Sequence, residues 1–91
     1  MEFKNREHEV MFESWKLAND LAHWCTRKYY KGEMESEEFS PLYRQALKVG
    51  STALTVMRVN SYIDVDEWQS MLDELYDWQT AKKEALTERG N

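Results

Sequence analysis

A chain of 91 residues with 42% hydrophobic and 13% aromatic content makes one domain, residues 1–91, with a modest core. At that length about 65% of the unfolded chain's surface is buried on folding. The formal charge of −5 weighs against a protein that tracks nucleic-acid phosphates, whose affinity comes from Lys and Arg. No run approaches the roughly 18 consecutive apolar residues of a membrane span, and MEFKNREHEV lacks the apolar stretch of a signal peptide.

With three Gly and one Pro there is little material for strands and turns, so the expected class is all-α. Cys25 is the only cysteine and has no intrachain partner, which suits a reducing, cytoplasmic compartment.

Three main helices are expected, at about 6–31, 41–60 and 65–89. Asn5 is a good N-cap for the first. Glu7 and Glu9 lie in its opening turn, Arg27, Lys28 and Lys31 near its end, and Gly32 is the stop. Met11, Trp15, Ala18, Ala22, Cys25 and Tyr29 fall on one stripe at spacings of three and four, which marks the core face. Beside it Val10, Leu17 and Trp24 recur every seven residues, more apolar surface than one neighbouring helix needs. Such spacing resembles a helix–helix seam and predicts a homodimer or higher oligomer.

A short acidic turn is expected near 36–39, within a run that contains Glu33, Glu35, Glu37 and Glu38. Ser40 and Pro41 then read as N-cap and first position of the second helix. Its apolar half carries Leu42, Ala46, Gly50, Ala53, Leu54 and Met57; its other half carries Arg44, Lys48 and Arg58. At the third start Asp64 and Glu67 have capping-box spacing, and Ile63 and Trp68 that of a hydrophobic staple. That helix is expected to bury Trp68, Leu72, Leu75 and Leu86. At these lengths the first and third helices overhang the second.

Charge is segmented along the chain. Residues 1–31 sum to +1, 32–40 to −4, 41–62 to +3 and 63–91 to −5. In the stretch DEWQSMLDELYDWQ no base accompanies the acids. Asp66, Asp73, Asp77 and Glu84 share the far face of the third helix, bordered by Tyr76 and Trp78, a line suited either to solvation or to a basic protein groove.

Catalytic constellations are not visible. His8, His23 and Cys25 are the only soft ligands, and His8 and His23 lie more than about 20 Å apart along one helix, too far to share an ion. His23 reads as solvated and Cys25 as packed. Asp64, Asp66 and Glu67 lack the Gly and distal Glu of a calcium loop. Neither a cofactor nor a metal is expected, and no enzymatic activity.

The expected function is protein–protein interaction: a small acidic module acting as regulator, inhibitor or adaptor of another protein. In general character the chain is similar to small accessory proteins of phages and mobile elements that inhibit or redirect a host protein. Two alternatives from other classes remain. One is nucleic-acid binding through Arg44, Lys48 and Arg58; the other is an enzyme whose site forms between subunits, where His8 or His23 meets a partner's carboxylates.

Overall fold

A computed structural model describes residues 2–90, all of them in helices, turns or coil. The elements are α1 (Arg6–Tyr30), α2 (Ser36–Val59), α3 (Val65–Leu75) and α4 (Trp78–Arg89). The first two form an antiparallel hairpin. Along one side of it run α3 and α4, which together form the third member of an all-α, three-helix bundle.

Local chemistry sets most of the boundaries. Asn5 caps α1 by accepting from the His8 amide at 2.9 Å. At the other end Gly32 takes φ 82°, and the amides of Gly32 and Glu33 return to the carbonyls of Tyr29 and Lys28. This paired closure uses glycine because it needs a left-handed residue. Asp64 completes the expected capping box: it accepts from the Glu67 amide at 2.8 Å, while the Glu67 carboxylate accepts from the Asp64 amide at 3.3 Å.

The second helix starts earlier than the Ser40–Pro41 pair suggested. Residues 36–39 are its first turn, not a separate one, and Pro41 sits inside the helix. At the sixth helical position proline lacks the amide that would have reached the Glu37 carbonyl and sets its ring against that carbonyl, a cost that α2 carries within the helix. The compensating contact is aromatic. Phe39 stacks on Tyr29 at 4.5 Å and on Tyr43, one turn further along, at 5.2 Å. With 24 residues in α2 and 25 in α1, the expected overhang of a long pair over a short helix does not arise.

The third segment is divided. Tyr76 and Asp77 leave helical geometry, and the Asp77 side chain caps α4 by accepting from the Thr80 amide at 3.2 Å. An uninterrupted helix would direct the Trp78 amide to the Glu74 carbonyl. Instead that amide bonds to the Tyr76 carbonyl, and Glu74 accepts from the Asp77 amide and from His23 Nε2 at 2.9 Å. Because a carbonyl can only accept, His23 donates there and takes the place of the lost helical donor.

The core gathers Trp15, Ala22, Ala46, Ala53, Leu54, Met57, Ile63 and Leu75, with Trp68, Met71 and Leu72 packed at its edge. Gly50 is buried where α2 passes close to Leu75 and Ala18. On α4 the inward residues are Ala81 and Ala85, whereas Leu86, expected inside, is exposed. The break accounts for this by rotating α4 relative to a straight continuation of α3.

Candidate functional site

The acidic line expected on one straight helix is interrupted where α3 ends. Asp66 and Asp73 remain exposed on α3, and Asp73 accepts from the Gln69 side chain at 2.8 Å. Asp77 has a different task. Thr80, through its hydroxyl and its amide, holds the Asp77 carboxyl below its ordinary range, with His23 adding to the effect. Its charge therefore serves the α4 N-terminus. Glu84 lies beyond the break, exposed on α4.

At its N-terminal end α3 makes a more definite surface. An open depression of about 460 Å³ is lined by Phe12, Trp15 and Met71, with Asp66, Glu67 and Ser70 around it. Carboxylates thus adjoin an apolar floor supplied by α1 and α3. Among the described residues the ion pairs are Arg6 with Glu9, Lys28 with Glu33, and Lys31 with Glu88, so none of them engages Asp66, Glu67 or Asp73. Phe12 escaped the sequence reading because it lies off the core stripe of α1.

Tyr76 and Trp78 flank the break, both substantially exposed. Trp78 forms one wall of an open pocket of about 200 Å³ whose other walls are Thr26, Tyr30, Phe39 and Tyr43. The Lys82 ammonium stands 5.1 Å from the Tyr30 ring and 5.8 Å from the Trp78 ring. This internal cation–π arrangement ties α4 to the end of α1. Burial pushes the Tyr43 hydroxyl up from its ordinary range.

The remaining candidates fall on the α1–α2 hairpin. Val10, Leu17 and Trp24 are all exposed on α1. Arg44, Lys48 and Arg58 are exposed on α2. Arg44 Nε donates to the Ser40 carbonyl at 3.4 Å.

Both histidines have partners within the chain, and for His23 this corrects the solvated reading. His8 is 3% exposed, stacked on Tyr62 at 5.1 Å and met edge-on by Phe3 at 5.2 Å. Its Nδ1 accepts from the Lys4 amide. In that position it packs within its own chain. His23 is half-buried against Glu74, not simply solvated. Nearby, the buried Asn19 donates to the Glu74 carboxylate at 3.1 Å, so three side chains of α1 and α3 converge at the break.

Cys25 is fully buried, and desolvation raises its thiol pKa. Among the described residues no three His, Cys, Asp or Glu side chains converge to hold a metal, and no helix is long and apolar enough to cross a membrane.

Compared with protein-family models, with curated proteins and with solved structures, the chain matches none.

Proposed function

We propose that this protein is an interaction module that regulates, inhibits or adapts another protein, and that its partner-binding surface is the acidic depression between the start of α3 and the first half of α1. One observation carries this reading. Asp66 and Glu67 border an open hollow lined by Phe12, Trp15 and Met71.

Such a surface suits Arg or Lys side chains. The aliphatic stem of a long basic residue covers the apolar floor while its charged head meets the carboxylates. A row of these residues occurs in grooves that otherwise receive nucleic-acid phosphates, and exposed carboxylates would speed association with them more than they would strengthen the final complex. Asp73, on the same helix, extends the negative surface. Asp77 is left out because it caps α4.

Affinity capture from the native cell tests the proposal. The unmodified chain is compared with Asp66→Asn/Glu67→Gln/Asp73→Asn, whose helicity is checked by circular dichroism. The expected result is a basic protein retained by the unmodified chain, released by moderate salt and lost from the triple variant. An identical captured set from both baits would overturn the reading.

A further inference from the structure

On the opposite side of the hairpin from α3 and α4, the bundle has an uncovered apolar face. Leu17 is 70% exposed, Trp24 43% and Val10 40%; facing them across the hairpin, Leu42 is 38% and Val49 41% exposed. Between these ridges runs a groove. One stretch, about 250 Å³, is lined by Leu17, Leu21, Ala46 and Val49; the next, about 260 Å³, by Met11, Lys48, Thr52 and Ala53. The two stretches share Ser14, Gln45 and Val49 and so form one channel.

We infer that this groove is closed by a second copy of the chain, giving a dimer whose centre is a four-helix bundle made of two α1–α2 hairpins. The inference does not depend on the acidic depression, which lies on another side of α1.

Shape supports it first. The groove floor is made of small residues, Ser14, Ala18, Ala46 and Ala53, while Leu17 and Val49 stand up as ridges. A twofold axis running along the groove lays it over the same groove of the second copy and sets the Leu17 ridge of each copy against the Val49 ridge of the other, an isologous arrangement. Seven-residue recurrence keeps the α1 ridge aligned along a nearly parallel or antiparallel neighbour.

Charge selects the same occupant. Glu13 and Asp20 each lie one turn from Leu17 on α1, adjoining the ridge, and both are exposed. On α2 the groove is bordered by Lys48, with Arg44 one turn away. A twofold axis parallel to the helices sets α1 against the partner's α2, so at the middle of the face Glu13 and Asp20 come opposite the basic pair on α2, twice, while Lys16 on the first border and Glu38 toward the end of the second reduce the contrast. A uniformly acidic or uniformly basic partner would satisfy only one border. Size is also sufficient: α1 is about 37 Å long and a helix pair about 20 Å wide, so the face covers on the order of 700 Å² per copy, near that of a standard specific interface.

Sedimentation equilibrium and light scattering on the whole chain decide the matter. At about 300 μM, well above a micromolar Kd, the unmodified protein is expected to have twice the monomer mass. Leu17→Glu should raise the dimer Kd about 30-fold or more, as loss of a central apolar anchor does, with helicity retained because the side chain is already exposed. Lys48→Glu should weaken the dimer, and Asp20→Lys added to it should recover part of the loss. Leu86→Glu, on the exposed side of α4, should leave the mass unchanged. A monomeric unmodified chain at that concentration overturns the inference, as does a dimer insensitive to Leu17→Glu.

Discussion

Leu75 occupies the space that a side chain at position 50 would need. A Cβ built on Gly50 would lie 2.8 and 2.9 Å from the two Leu75 methyl carbons and 3.3 Å from the Ala18 Cβ. Leu75 is itself 1% exposed, so its methyl groups have little freedom to withdraw. Replacing Gly50 with Ala gains about 1 kcal/mol of helix propensity, but overpacking costs about 1–3 kcal/mol. Gly50→Ala is expected to be destabilising on balance in urea unfolding, and less so in a Leu75→Val background, where the methyl groups have more room. Equal effects in both backgrounds would show that the close approach is relieved elsewhere.

Ser61 has φ 58°, the left-handed conformation that Gly32 supplies at the end of α1. The closure is the same: the Ser61 and Tyr62 amides return to the carbonyls of Arg58 and Met57. A left-handed conformation costs a residue with a Cβ about 1–2 kcal/mol, which glycine avoids. Ser61→Gly should therefore stabilise the fold by about 1 kcal/mol, read as a higher urea midpoint with unchanged slope. The bond from Lys4 Nζ to the Ser61 carbonyl involves the backbone and should persist.

His23→Ala removes the donor that supplies the Glu74 carbonyl at the helix break. Loss of one such bond is expected to cost about 0.5–1.5 kcal/mol. His23→Gln, which keeps an N–H donor, should recover part of it. Nitrogen chemical shifts of the neutral ring should place the proton on Nε2; a proton on Nδ1 would contradict the bond.

The attachment of α4 should depend on pH at both extremes. Lys31 pairs with Glu88, which raises the lysine above its ordinary 10.5 and lowers the carboxyl below 4.5; Asp77 is held below 3.8. A carboxyl lowered by folding contributes above its unfolded value and loses that contribution as pH falls through the folded one. A raised lysine contributes fully below its unfolded value and loses it as pH rises through the folded one. Between about pH 5 and 10 the pair is thus complete. The difference in melting temperature between the unmodified chain and Glu88→Gln should shrink as pH falls from about 6 to 2, and a constant difference would argue against the pair.

Cys25 should be unreactive toward thiol reagents until the protein opens, because it is buried and its thiol pKa is raised by desolvation. Modification should follow the unfolding equilibrium in urea. Rapid labelling of the native protein would show that α1 and its neighbours part more readily than the packing implies.

Much of this architecture was legible in the sequence because its signals are local. Asn5, Gly32 and the Asp64–Glu67 pair act within a few residues of themselves, and the stripe from Trp15 to Cys25 needs only helical periodicity. Where the structure departs from these local signals, distant partners decide the outcome. Pro41 looks like a helix start until Phe39 is seen stacked between Tyr29 and Tyr43. Asp77 has a cap's spacing to Thr80, but the break also uses His23, fifty-four residues earlier in the chain. The sequence therefore named Asp66 and Asp73 as surface acids but not the Phe12–Trp15 floor beside Asp66, which forms only when α3 lies against α1.

The break after Leu75 also divides the molecule's resistance to opening. Of the packed elements, α4 rests on α1, and its buried residues are two alanines, Ala81 and Ala85. Two small side chains provide far less anchorage than the cluster around Leu54 and Met57. Amide exchange should consequently be layered, with α4 releasing deuterium-accessible amides in a partial opening that leaves the hairpin intact. In that opened form the wall formed by Trp78 swings away from Tyr30 and Tyr43. A protease then meets its first susceptible bonds between residues 76 and 78, and the expected early product is a chain that has lost its last helix while retaining α1 and α2.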